Sequence, residues 1–122
     1  MSDALRSRWA VASVMLIASC AVEASVPTLD ECLEGSDFIA DAAWSRDHGL
    51  TRDAFLSRLE GDFETIRAFP PSLRWFAKDE DDERFLYASA ALVFDAPLAP
   101  DGHRTQFLNA CFERLGVPEG NS

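Results

Sequence analysis

Residues 28–43 read TLDECLEGSDFIADAA, and their spacing sets the fold class. Thr28 and Glu31 stand three apart. That is the spacing of a capping box, in which each side chain serves a backbone donor of the other residue. Behind that start, Leu29, Cys32, Leu33, Ser36, Ile39, Ala40 and Ala43 recur every three or four positions and share one helical face. An amphipathic helix beginning after Thr28 is expected, closed by Gly49, since glycine accepts the left-handed backbone that ends helices. No segment of the chain alternates apolar and polar residues as a strand would.

The same logic carries through the rest of the chain. Thr51 caps a second helix, and Leu50 with Phe55 fits a hydrophobic staple across that cap. Phe55, Leu56, Leu59, Phe63 and Ile66 form its buried face, and Pro70-Pro71 end it. Ser72 to Phe76 is expected to form one further helical turn carrying Leu73, Trp75 and Phe76. A third helix runs from about Glu80 to Phe94 and buries Phe85, Leu86, Ser89, Leu92 and Val93. Its flanking Tyr87, Ala90, Ala91 and Phe94 widen that face, as a central helix of the bundle requires. After the proline-marked link 95–100, a fourth helix starts near Asp101 or Gly102 and buries Phe107, Leu108, Cys111, Phe112 and Leu115. Gly116 and Pro118 end it. The expected fold is all-α: a small four-helix bundle with a short helical turn.

Upstream of this domain the chain changes character. Arg6 and Arg8 precede an uncharged stretch, Trp9 to Val22, and small Ala24 follows; together these have the parts of a secretory signal. The stretch of 14 residues is shorter than the roughly 18–20 a membrane span needs. Residues 1–24 are therefore expected to be a cleaved signal peptide and 25–122 a single helical domain. A competing outcome is open. Ile17-Ala18-Ser19-Cys20 resembles the bacterial lipobox, which makes 1–19 a lipoprotein leader and Cys20 a lipidated N-terminus. A third is an uncleaved hydrophobic segment. The expected location is the bacterial periplasm or the exterior, with the outer membrane as the alternative if Cys20 carries lipid.

Export simplifies the cysteines. Of three, Cys20 belongs to the leader, and Cys32 and Cys111 remain on apolar faces of the first and last helices. In an oxidising compartment such a lone pair is expected to bridge, which sets those two helices side by side. Closing a loop of about 80 residues removes about 4–5 kcal/mol of unfolded-state entropy in the simple chain model.

The chain holds 21 acidic and 11 basic residues, for a net charge of −10. Two of each lie in the leader, so the imbalance survives cleavage. Such a charge opposes binding to nucleic acid and to anionic lipid surfaces, and it attracts a cationic protein. Hydrophobic residues make up 48% of the chain, which argues for a packed core over disorder.

The residues offer little chemistry. The six glycines are scattered and form no phosphate loop. Lys78 has Trp75 three before it, so there is no Ser-x-x-Lys pair. His48 and His103 are followed by Gly49 and Arg104, which excludes a zincin motif, and no Cys-x-x-Cys is present. Each histidine has an aspartate within two residues, so a metal site is conceivable only if both segments met. Otherwise His48 is a helix C-terminal dipole partner and His103 a surface residue. No catalytic residue, metal or cofactor is expected. The run Asp79, Glu80, Asp81, Asp82 and Glu83 lacks the glycine a calcium loop needs at its sixth position; it reads as a helix-capping, solvated acidic face that could meet a basic partner. Trp75, among Phe69, Pro70, Pro71 and Phe76, is either an exposed anchor for that partner or a plug at one end of the core.

In size, acidity, helix content and single bridge the chain resembles periplasmic acid-activated chaperones of the HdeA type. That likeness lies in class and composition, and no functional residue carries over from it. Two functions lead. One is a non-catalytic envelope protein that binds a cationic protein, as an inhibitor or immunity protein does. The alternative is an acid-activated chaperone. A small metal-dependent hydrolase using His48 or His103 ranks third.

Overall fold

The computed structural model describes residues 27–116, which contain four α-helices and one short 3₁₀ turn. Residues 1–24, expected to be a signal peptide, with Cys20 among them, and Pro118 lie outside the described residues. Helix α1 spans Leu29–Asp47, α2 Arg52–Arg67, α3 Glu80–Asp95 and α4 Pro100–Arg114, with the 3₁₀ turn at Pro71–Leu73. Among the described residues no strand occurs, and no helix is long and apolar enough to cross a membrane.

The starts of three helices follow directly from their caps. The Thr28 hydroxyl accepts from the Glu31 N–H at 3.1 Å, and the Glu31 carboxylate accepts from the Thr28 N–H at 3.0 Å. The Thr51 hydroxyl accepts from the Ala54 N–H, and Asp79 accepts from the Asp82 N–H. Each cap satisfies a donor that the first turn would otherwise leave open. Helix α4 starts one residue earlier than expected, because Pro100 occupies its first position, where proline loses no hydrogen bond. Gly49 has φ 103°, the left-handed conformation that lets the chain leave α1.

Cys32 and Cys111 are joined by a disulfide with Cα atoms 5.7 Å apart, and both are fully buried. α1 and α4 are the most extensively packed pair; α3 lies against α1, and α2 rests on α3. Every helix contributes to the core, with Ile39 and Ala43 from α1, Leu56, Leu59 and Phe63 from α2, Leu86 and Val93 from α3, and Phe107 from α4. An aromatic seam threads these elements. Phe94, Phe55, Phe38 and Trp75 follow at ring separations of 5.6–5.7 Å, and Phe76, Phe85 and Phe107 pack as a triad beyond them.

Two expectations about burial need correction. Leu29 and Leu33 lie at the edge of α1 and are largely exposed, as is Leu92 on α3. The face of α1 that packs is centred on Cys32, Ser36, Ile39 and Ala43, because the disulfide fixes α1's rotation against α4. The helical turn is also shorter than expected. It ends at Leu73, which is exposed, and Trp75 and Phe76 follow in the segment that crosses back toward the core. Arg74 holds that crossing by donating to the carbonyls of Phe69, Lys78 and Arg67.

The close approach of α1 to α4 depends on Gly35. A Cβ there would stand 2.6 Å from Cζ of Phe107. The Phe107 ring cannot retreat freely, since Phe76 and Phe85 pack against it. Gly35→Ala should therefore destabilise the fold by about 1–3 kcal/mol, the cost of overpacking a filled core. The check is a urea unfolding curve, in which an unchanged midpoint would show that the ring yields.

Candidate functional site

The acidic run at 79–83 is not the open face its sequence suggests. Asp79 is the α3 cap. Glu80 and Asp81 are exposed, and both lie beside Arg84. Asp82 is 1% exposed, and Glu83 is buried as well. Asp82 accepts from Arg114 at 2.8 Å and from the Lys78 N–H at 3.0 Å. Glu83 takes a two-pronged contact from Arg67, at 2.6 and 3.0 Å. The reason is periodic. Leu86 and Ala90 are core residues of α3, and Asp82 and Glu83 stand one turn before Leu86, on the same face. Arg67 and Arg114 arrive from α2 and α4 to neutralise that end, and the Arg114 guanidinium also covers the Phe85 ring at 4.7 Å.

Almost every other cation of the described segment is engaged as well. Arg46 pairs with Asp47, Arg52 with Asp95, Arg67 with Glu83, Lys78 with Glu31, Arg84 with Glu80 and Asp81, Arg104 with Asp37, and Arg114 with Asp82. Arg74 is held by backbone carbonyls. Arg58 alone among the described cations has no such partner. Asp53, Glu60, Asp62 and Glu64, all exposed on α2, make no ion pair; nor do exposed Asp30, Glu34 and Asp41 on α1 or Glu113 on α4. The unpaired carboxylates of the described fold thus lie mainly on α1 and α2, with the largest group, four, on α2.

Two clefts flank α2. One, of about 580 Å³, opens toward α3 and is lined by Glu60, Phe63, Arg67, Glu83, Arg84 and Tyr87 among others. The other, of about 400 Å³, opens toward α1 and is walled by Phe38, Leu59, Phe63, Ile66 and Trp75, with Asp62 and Thr65 at its lip. Trp75 is half-buried there. Its ring meets Phe38 at 5.6 Å, and its indole N–H donates to Glu34 at 3.1 Å. It is Phe76, 1% exposed, that plugs the core, while Phe69 and Leu73 face solvent.

The histidines have separate structural tasks. His48 is exposed at the end of α1, stacked on Trp44 with ring centroids 3.8 Å apart, and its Nδ1 lies 2.8 Å from the Trp44 carbonyl. His103, expected at the surface, is instead 1% exposed. The link 96–99 folds over it, because its Nε2 accepts the Leu98 N–H at 2.8 Å. Arg46 reaches the same place from α1. It donates to the carbonyls of Val93 and Leu98 at 2.7 and 2.8 Å, and its Nη1 lies 3.4 Å from the His103 ring. Among the described residues no group of three His, Cys, Asp or Glu side chains gathers as a metal site.

Burial first, and then the neighbouring Arg46 charge, push the His103 pKa below its ordinary 6.5. The folded state therefore resists a proton that the unfolded chain accepts. His103's contribution to stability is complete above pH 6.5, declines as pH falls from there through the lowered value, and then levels off. In a thermal-melt series against pH, His103→Gln should flatten the part of the slope just below 6.5. An NMR titration of the His103 ring that gave an ordinary or raised pKa would refute this. Sequence reasoning missed this latch, although an Asp-Gly-His run directly after a proline-marked link was the available signal.

Comparison of the chain with known protein families, curated proteins and solved structures finds no match.

Proposed function

We propose that this chain is a non-catalytic, inhibitor- or immunity-like binding protein of the cell envelope, and that α2 meets a cationic protein partner. One observation carries this reading: nearly every cation of the described fold is engaged internally, while Asp53, Glu60, Asp62 and Glu64 on α2 are left without an ion pair. The net charge of −10 steers a basic partner at long range, and carboxylates without a paired cation are free to meet its cations on contact. The disulfide accords with an exported protein and presents α2 on a cross-linked scaffold.

The test compares the full chain with a variant in which Asp53, Glu60 and Glu64 become Asn, Gln and Gln. Both are immobilised and exposed to envelope extract. A basic protein should be retained by the first at low salt, weakened at moderate salt, and lost by the second. Equal capture by both, or no basic protein on either, would remove the reading.

His103 favours one second reading, the acid-activated chaperone. A buried neutral histidine beneath the 96–99 link disfavours the native packing once it must take a proton, and loosening there would uncover apolar helix faces. If this is the function, a client protein should stay soluble with the chain present at about pH 2–3 and precipitate without it. Equal precipitation in both samples would exclude it.

A further inference from the structure

The geometry points to the cleft between α1 and α2 as the slot for an apolar anchor side chain carried on a basic segment of the partner. This rests on the binding reading above and names what that partner must present. The slot is walled by Phe38, Leu59, Phe63, Ile66 and Trp75 and has a volume of about 400 Å³. That space suits one large apolar side chain with its neighbouring backbone, and desolvated aromatic walls are where binding energy concentrates.

Charge around the slot selects what carries the anchor. Glu34 and Asp41 stand four before and three after Phe38, so both flank it on the same face of α1. Asp62 stands at the opposite lip, on α2. Asp41 and Asp62 have no ion pair, and Glu34 is engaged only through the Trp75 indole. Against these three carboxylates stand Arg58, a turn before Asp62, and Arg74, next to Trp75 and turned to the carbonyls of Phe69, Lys78 and Arg67. A neutral or acidic segment would leave the carboxylates facing an apolar insert without compensation, whereas lysines or arginines on either side of the anchor would meet them. Phe69 and Leu73, exposed on the connector beyond α2, offer further apolar surface.

The probe is a short lysine-rich peptide with one central phenylalanine, titrated into the isotopically labelled full chain. The Trp75 indole N–H, distinguished by its Glu34 bond, is the local reporter. The peptide should shift that resonance together with Ile66 and Thr65, and replacing its phenylalanine by alanine should weaken binding at least about tenfold. Thr65→Trp fills the slot from an exposed position, and Asp62→Lys inverts its lip. Both should keep the helical spectrum and weaken the peptide by a comparable factor. Binding that ignores the phenylalanine and shifts only the outer carboxylates of α2 would overturn the slot and leave the acidic-helix reading standing. No response to any basic peptide at low salt would overturn both. Concentration-dependent shifts of Trp75 without peptide would show that a second copy of the chain fills the slot, which also overturns this proposal.

Discussion

Replacing Cys32 and Cys111 together by alanine should lower the free energy of unfolding by about 4–5 kcal/mol, the entropy of a loop this long in the unfolded chain. The bridge spans 79 positions and joins α1 to α4, the most extensively packed pair. A domain of this size has a net stability of about 5–15 kcal/mol, so the variant is expected to be only marginally folded. Both sulfurs are fully buried, and alanine leaves small voids that add to the loss. Urea unfolding of the oxidised protein, the same protein in excess dithiothreitol, and the double variant checks this. The last two should both fall well below the first, with the double variant the lower of the two. Coincidence of all three curves would mean that helix packing alone holds the fold.

The second large effect is expected at Asp82. Asp82→Ala should cost about 3–5 kcal/mol, because removing one partner of a buried pair strands the other charge. Arg114 would keep the Phe85 ring beneath it but lose the carboxylate that its Nη2 donates to. Its Nη1 is already buried with no hydrogen-bond partner among the described residues. The same substitution also takes an acceptor from the Lys78 N–H, which loosens the chain's entry to α3. Changing both residues, as Asp82→Asn with Arg114→Met, should recover much of the loss, since no unpaired charge then remains. Thermal unfolding of the two single variants and the double variant gives the coupling. Simple additivity would show that the pair does not act as a unit.

These residues also mark how far the sequence could be read. The four helices were legible because caps and period act locally. Thr28 with Glu31, Thr51, and Asp79 each satisfy first-turn donors within three residues of themselves, so neighbours in sequence are enough to place them. The bridge was legible once export was assumed, because two cysteines on apolar faces have one pairing. Less was legible at the candidate site. A run of five carboxylates looks solvated by composition, and burial of Asp82 and Glu83 depends on Arg114 and Arg67 arriving from helices distant in sequence. His103 looked like a surface residue because nothing near it in sequence announces that Arg46 and the link 96–99 will cover it.

What the sequence by itself determined is the all-helical class, the position of each helix and the cross-link between the first and last. Hydrophobic period and hydrogen-bond capping are short-range, so they are written where they act. What only the tertiary structure decided is the distribution of charge. Ion pairing is a matter of distance in space, and the packing of the helices brings Arg67 of α2 and Arg114 of α4 to the acidic run while leaving Asp53, Glu60, Asp62 and Glu64 without an ion pair. The surface that an approaching partner would meet is therefore set by which carboxylates the fold neutralises, a choice made only when the helices come together.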